Sequence, residues 1–202
     1  HTVTVQDAFG CFTPLLPFTI TAGPPISTTA TKTDALCNGG STGTITVAQP
    51  AAGNAPYEYS LDGVTWQTSN VFTGLPAGNY TVFFRERDGC NGTVNITIAE
   101  PSVLTSTAAT VPVVCNGQSN GTITASAAGG VAPYEYSIDG LIWQGSNIFN
   151  VPAGVYTVQI RDFNGCISTQ PITVTQPAAL TASSVNTNAT CNGGLDGKIL
   201  IT

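Results

Sequence analysis

The sequence predicts an all-β chain of tandem sandwich repeats, and three observations carry that reading. The 202 residues include 22 Gly, 13 Pro, many Thr and Val, and only 8% charged side chains, a composition that favours strands and turns over helices. Apolar and polar residues alternate in short runs, as in Tyr156, Val158 and Ile160 against Thr157, Gln159 and Arg161, so one face goes to a core and the other to water. The third observation is self-similarity at a period of about 76 residues, the signature of a repeat array.

The repeat is explicit. Pro56-Tyr57-Glu58-Tyr59-Ser60 returns as Pro133-Tyr134-Glu135-Tyr136-Ser137, Asp62-Gly63 with Trp66-Gln67 returns as Asp139-Gly140 with Trp143-Gln144, and Pro76-Ala77-Gly78 returns as Pro152-Ala153-Gly154. Cys90 maps to Cys166, while Cys37, Cys115 and Cys191 form a second series. Residues 25–100 and 101–176 read as complete repeats, 1–24 as the C-terminal part of a preceding repeat and 177–202 as the N-terminal part of a following one, so the chain reads as a stretch of a longer array. Each complete repeat opens at a proline, and short junctions such as Glu100-Pro101 and Gln176-Pro177 favour a semi-rigid connection.

Within the repeat of residues 101–176, strands are expected at 104–114, 121–127, 134–138, 141–144, 147–151, 155–161 and 167–175. The turns between them carry Asn116-Gly117, Gly129-Gly130, Asp139-Gly140, Pro152-Ala153-Gly154 and Asn164-Gly165, residues that supply the positive or fixed φ of tight reversals. Seven short strands at this spacing predict an immunoglobulin-like β-sandwich repeat, several of which form an extended array. Tyr57, Tyr59, Trp66 and Tyr80, with Tyr134, Tyr136, Trp143 and Tyr156 in the next copy, are expected as core anchors, each Trp being a core or edge anchor just after an Asp-Gly turn.

Several function classes are excluded on composition. A net charge of -6 leaves no basic stripe for nucleic acid or an anionic membrane surface, and no apolar run is long enough to span a bilayer. The single histidine, His1, occupies the slot of a repeat tyrosine, so a nucleophile would lack its usual base and no catalytic residue is assigned. The chain is not expected to be an enzyme. Asp62 and Asp139 sit in Asp-Gly reversals, and Asp88 and Asp162 precede the hairpin that carries the cysteine, where turn chemistry accounts for them. Glu58 and Glu135, each between two tyrosines of a strand, are expected on a solvated outer face. No loop has the dense oxygen-ligand spacing of a calcium site and no CxxC pair suggests zinc, so neither a metal nor a cofactor is assigned. The sequons at Asn79, Asn91, Asn95, Asn120 and Asn188 are read as chance plus turn preference.

The combined pattern resembles the SprB-type repeat of Bacteroidetes gliding-motility cell-surface adhesins. The resemblance rests on Cys115-Asn116-Gly117 with Asn120-Gly121-Thr122-Ile123, on Pro133-Tyr134-Glu135-Tyr136-Ser137, on Val151-Pro152-Ala153-Gly154-Val155-Tyr156-Thr157-Val158 and on Arg161-Asp162-Phe163-Asn164-Gly165-Cys166, with Cys37, Tyr57, Gly78, Tyr80 and Cys90 in the other copy. Arg85-Glu86-Arg87 and Ala51-Ala52-Gly53 depart from it. It implies an extracellular filament on a bacterial surface, exported by type IX secretion, moved by the gliding machinery and gripping a surface polysaccharide or substratum. Its partners would be neighbouring repeats of the same chain. The alternative is a spacer or carbohydrate-binding module of a secreted glycan-degrading enzyme. Solvent-exposed tryptophans would favour the second reading and buried ones the first.

The cysteines Cys11, Cys37, Cys90, Cys115, Cys166 and Cys191 are regularly spaced and even in number, which fits disulfides in an oxidising location. If seven strands alternate in direction, Cys115 and Cys166 lie at opposite poles, roughly 36 Å apart for eleven residues of strand. That is far beyond the reach of about 7 Å for a disulfide. Stacked repeats would then pair Cys37 with Cys166. Two other schemes stay open: Cys37 with Cys90 and Cys115 with Cys166 inside repeats, or Cys90 with Cys115 and Cys166 with Cys191 across the junctions.

Overall fold

The structure is a computed structural model that describes residues 2–13, 16–21 and 23–202. His1, and with it the expectation that it fills a tyrosine slot, lies outside the described residues. Among these residues every regular element is a strand. The chain forms two compact units, one taking in the chain up to Ala35 together with Ser41–Ala99, the other Leu36–Gly40 together with Glu100–Thr202.

The first unit begins with a short antiparallel pair, β1 (Thr2–Val3) and β2 (Leu16–Pro17). Its body consists of β3 (Ala30–Thr33), β4 (Gly43–Val47), β5 (Tyr57–Ser60), β6 (Val71–Leu75), β7 (Gly78–Glu86) and β8 (Asn91–Ile98). These make two antiparallel three-stranded sheets, ordered β3-β4-β6 and β5-β7-β8. Alternation decides which face is buried: Ile45 and Val47 on β4 and Val82 and Phe84 on β7 point inward, where they meet Tyr59 and Ile98. Phe83 and Arg85, between and beyond the inward pair on β7, face outward.

The second unit repeats this plan with β9 (Thr105–Val111), β10 (Gly121–Ala128), β11 (Glu135–Ser137), β12 (Ile148–Val151), β13 (Gly154–Arg161) and β14 (Ile167–Val174). Its sheets run β9-β10-β12 and β11-β13-β14, and Ile123, Ala125, Val151, Val158, Ile160 and Val174 fill the space between them. A hairpin of β15 (Ser184–Thr187) and β16 (Lys198–Ile201) follows, with Cys191 in its loop. This is an all-β sandwich architecture, as the alternation requires.

One expected strand is absent. Residues 141–144 make a single antiparallel bridge, Gln144 to Tyr136, because the Asp139 turn occupies the backbone N–H groups of Leu141 and Ile142. Each sandwich therefore has six strands. The segment still runs back antiparallel to β11, so the sense of the later strands is unchanged. Gly121 pairs with Val151, which puts the start of β10 and the end of β12 at one pole. Strand β13 then leaves that pole and delivers Cys166 to the other.

The tyrosines divide. Tyr59 is buried, while Tyr57, Tyr80, Tyr134, Tyr136 and Tyr156 are partly buried and pack against the two cores. Trp66 and Trp143 belong to neither core. Each follows an Asp-Gly turn and is partly buried against an outward-facing arginine, so the core alternative of the expected core or edge anchor is corrected to a partly buried ring outside the core.

The packing predicts a sharp contrast between two valine-sized and aromatic sites. Phe84→Ala, at a fully buried ring, should cost about 3–5 kcal/mol in denaturant unfolding. Val155→Ala, at a residue 77% exposed on β13, should stay within about 0.5 kcal/mol. Equal costs at the two positions would contradict the assignment of faces.

Candidate functional site

Two constructions each occur twice: a clamp built on Cys-Asn-Gly, both copies of which lie in the second unit, and a Glu-Arg-Trp cluster on the outer face of a sheet, one in each unit. The clamp begins with Leu36–Gly40, the short segment that groups with the second unit. Cys37 is disulfide-bonded to Cys166, 129 residues along the chain, with the Cα atoms 5.8 Å apart. Beside the bond, Asn164 Nδ2 donates to the Leu36 carbonyl at 2.7 Å.

The next two residues hold the proline junction. Asn38 Nδ2 donates to Glu100 Oε1 at 2.9 Å and to the Pro101 carbonyl at 3.1 Å, and the Gly39 N–H donates to Glu100 Oε2 at 2.6 Å. The second copy does the same: Asn116 Nδ2 donates to the Pro177 carbonyl at 3.0 Å, and the Gly117 N–H to Gln176 Oε1 at 2.9 Å. Gly39 and Gly117 have φ of 70° and 79°, a conformation that costs glycine little and aims the N–H at the side chain before the proline. The Cys-Asn-Gly motif is thus a device for fixing the residue pair at each junction.

A carboxylate shapes the turn that carries the other cysteine. Asp162, 4% exposed, accepts from the Cys166 N–H and the Val131 N–H, both at 2.9 Å. Asp7 accepts from the Cys11 N–H at 2.9 Å in the same way. In the remaining copy the group is Glu86, which is buried and accepts from the Asn54 N–H. The sequence reading set Asp88 beside Asp162, but position four before the cysteine is Glu86, and Asp88 instead accepts from Asn54 Nδ2 at 2.7 Å. The sequence signal was that fixed spacing of four.

Cys11, Cys90, Cys115 and Cys191 are free and exposed. The Glu86 carboxylate, through a hydrogen bond and its charge, pushes the Cys90 thiol up, which disfavours the thiolate that a reactive cysteine needs.

The outer-face cluster sits on the cross-strand pair of β5 with β7, or of β11 with β13. Arg85 Nη2 lies 2.6 Å from Glu58 Oε2, and its guanidinium carbon is 4.1 Å from the centre of the Trp66 ring. Arg161 Nη2 is 2.5 Å from Glu135 Oε2, with its guanidinium carbon 4.5 Å from the Trp143 ring. Glu58 and Glu135 therefore face outward as the alternation requires, but each is paired. An exposed ion pair of this kind contributes little stability; the cation over the indole adds about 0.5–1 kcal/mol and fixes the ring.

The sequons also find structural uses. Thr97 donates to Asn79 Oδ1 at 2.7 Å and Thr81 to Asn95 Oδ1 at 2.8 Å, both across β7 and β8, and Asn120 Oδ1 accepts from the Val114 N–H. Among the described residues no group of three His, Cys, Asp or Glu side chains is placed to hold a metal ion. Among the described residues no helix is long and apolar enough to cross a membrane.

The Asp-Gly turns carry the clearest electrostatic consequence. Asp62 Oδ1 accepts from the Thr65 and Val64 N–H groups and the Ser60 hydroxyl, and these bonds, the backbone ones first, hold its carboxyl well below the ordinary range. Asp139 is lowered by the Ile142 and Leu141 N–H groups and then the Ser137 hydroxyl. A carboxyl whose folded pKa is depressed contributes stability that is present above its unfolded value and lost as pH falls through the folded one. Acidification below about pH 4 should therefore lower the melting temperature, and Asp62→Asn with Asp139→Asn should flatten that fall while keeping an acceptor oxygen in each turn. Parallel melting curves for variant and parent across this range would refute the assignment.

Comparison with known proteins adds the following. No curated protein matches the sequence. Similar solved structures include the C-terminal 282-residue fragment of intimin, solved with the intimin-binding domain of the translocated intimin receptor, at 18% identity over 81% of this chain and 67% of that one, TM-score 0.37. Three N-terminal domains of the outer capsid protein Hoc of bacteriophage RB49 match at 15% identity over 82% of this chain and 61% of that one, TM-score 0.39. Fibronectin(III)-like modules of Clostridium thermocellum CbhA match at 15% identity over 73% of this chain and 95% of that one, TM-score 0.31. Residues 29–65 and 107–141 each match the family described as the SprB repeat, and at these two places the chain carries SprB repeats.

Proposed function

We propose that this chain is part of the repeat region of a bacterial cell-surface adhesin, a filament that gives reach, stiffness and surface adhesion in gliding motility. The repeats of about 76 residues, 25–100 and 101–176, are its mechanical elements, and its partners are neighbouring repeats, the export and gliding machinery, and a surface polysaccharide or substratum. The observation that carries the reading is the Cys37–Cys166 bond with the Asn38–Pro101 and Gly39–Glu100 hydrogen bonds beside it. A covalent bond spanning 129 residues, reinforced at a proline junction, suits a chain that bears tension and has no evident use in a freely diffusing binding module. Carbohydrate-binding modules of a secreted enzyme are the second reading. It is favoured by Trp66 and Trp143, which lie outside the cores and are only partly buried, although an arginine covers one face of each ring.

Pulling the full chain from its ends in a single-molecule force experiment tests the load-bearing role. With the disulfide intact, the loop it closes, a sequence separation of 129, is shielded from force, so reduction should add roughly 450 Å of released contour length. Equal extension before and after reduction would mean that the bond carries no load and would overturn the mechanical reading.

A further inference from the structure

The first unit has a groove beside Trp66. It occupies about 490 Å³ beside the β5-β7-β8 sheet, and Gly63, Trp66, Phe83, Arg85, Asn91 and Thr93 are among the residues that line it. The register explains how these residues meet. Arg85 pairs with Glu58 and Asn91, and Phe83 pairs with Ser60 and Thr93, so they form two adjacent rows on one face of the sheet. Trp66 reaches the same face from the Asp62 turn, where Gly63 brings its backbone against the Phe83 ring.

Two features define what such a groove accepts. It offers aromatic surface from two half-buried rings, and around that surface the Trp66 indole N–H, the Asn91 amide and the Thr93 hydroxyl make no hydrogen bond within the described residues. The Arg85 charge is met by Glu58 at 2.6 Å, so the groove carries no net charge for an anion. A ligand that is apolar on one face, rich in hydroxyls at its rim and uncharged matches all three properties, and a hexopyranose with equatorial hydroxyls is such a ligand: its axial C–H groups lie on ring faces while its hydroxyls meet the amide, hydroxyl and guanidinium. The face continues past the groove into the Thr81–Asn95 and Asn79–Thr97 pairs, whose amide N–H groups are left for solvent or for further sugar units.

The second unit shows what is special about the first. There the partners of Arg161 and Gln159 on β14 are Ile167 and Thr169. Gln159 stands where Phe83 provides the second ring, and Ile167 where Asn91 provides the amide. Trp143 does not line the concavity beside Arg161, which is formed by Pro133, Glu135, Asp162, Phe163 and Asn164.

We propose that the Trp66–Phe83 groove of the first unit is a binding site for neutral hexopyranose oligosaccharides, and that the second unit has none at the equivalent place. This deepens the adhesion part of the function proposed above, and its test is independent of the force experiment. The chain has two tryptophans, one per unit, so Trp143→Phe leaves Trp66 as the only indole reporter and Trp66→Phe leaves Trp143. The full chain carrying Trp143→Phe is titrated with cellohexaose, laminarihexaose and a mannuronate hexamer while indole fluorescence is followed. Saturable change with a neutral glucan in this variant, and none in Trp66→Phe, is the expected result. Adding Phe83→Gln, which installs the residue that the second unit tolerates at Gln159, should weaken the response about tenfold or more, the worth of roughly one aromatic contact. The proposal is overturned if neither glucan shifts Trp66, if only the charged mannuronate does, if Phe83→Gln leaves affinity unchanged, or if the Trp66 signal changes with protein concentration alone, which would mark the groove as a contact between copies of the chain.

Discussion

The constraint on which the other features depend is the length of a strand set against the reach of a disulfide. Strand β13 has eight residues and is roughly 26 Å long, and it separates the pole that holds Cys115 from the pole that holds Cys166. A sulfur–sulfur bond closes only when the Cα atoms approach within about 7 Å. The two cysteines of one sandwich therefore cannot meet, and Cys166 instead meets Cys37, on a segment that groups with the second unit although it lies 129 residues earlier. The Cys-Asn-Gly motif, the junction proline and the residue before that proline form around this arrangement. Asn38 and Gly39 satisfy Glu100 and Pro101 next to the bond, and Asn116 and Gly117 make the matching contacts with Gln176 and Pro177 where Cys115 is a free thiol. The hydrogen-bonded clamp thus forms in both copies, with a disulfide beside it at Cys37 and a free thiol beside it at Cys115.

Polar groups take over where apolar ones are few. Each sandwich has a small core, so the ends of its strands are held by carboxylates that accept backbone N–H groups: Asp62 and Asp139 after the third strand of the sandwich, and Glu86 and Asp162 before the last. Hydrogen bonds to a charged acceptor are stronger than neutral ones, and a turn with its N–H groups satisfied internally presents no sticky backbone to a neighbour. Gly53 and Gly130 belong to this scheme, since a Cβ at either would strike the Glu86 or Asp162 carboxylate. That geometry explains why the departure Ala51-Ala52-Gly53 is harmless: the one glycine that touches the carboxylate is retained.

Much of this was legible in the sequence, and the gaps have physical causes. Period-two alternation read out β13 and its inward face because side-chain direction is fixed by the pleat, and the repeat places β7 at the matching residues of the other copy. The segment 141–144 looked like a strand because Leu141, Ile142 and Trp143 are apolar, yet Asp139 captured the N–H groups that a ladder would need, and the outcome turned on turn chemistry rather than hydrophobicity. The tryptophans misled for a related reason. Their size argues for a place in the core, but three residues past the glycine of an Asp-Gly reversal they lie outside it, partly buried against the outward arginine of β7 or β13. That arginine was invisible to a reading along the chain, because Glu58 and Arg85 are 27 residues apart and only the antiparallel register makes them neighbours. The role of Glu86 was hidden by a length difference: aspartate and glutamate reach the same backbone amides from different distances, so a reading that matched residue type chose Asp88.

The two outer faces show how a repeat can conserve a scaffold and still vary its surface. Inward positions on β7 and β13, Val82 with Phe84 and Val158 with Ile160, must fill a space of nearly fixed volume, so their variation is confined to apolar residues. Outward positions have no such limit, and between the copies Phe83 becomes Gln159 and Asn91 becomes Ile167 while the Glu-Arg-Trp cluster beside them stays. The cluster needs only three long side chains in register, and it contributes little to stability, so its recurrence is not explained by folding energy. Its effect is to hold an indole ring against an outward arginine of the sheet, where the neighbouring outward residues decide what the ring is next to. In the first unit that neighbour is a second aromatic ring with an amide at its rim; in the second it is a glutamine and an isoleucine. A fixed ring with exchangeable neighbours lets each copy of the repeat differ in what its face contacts without altering the core or the clamp that joins it to the chain.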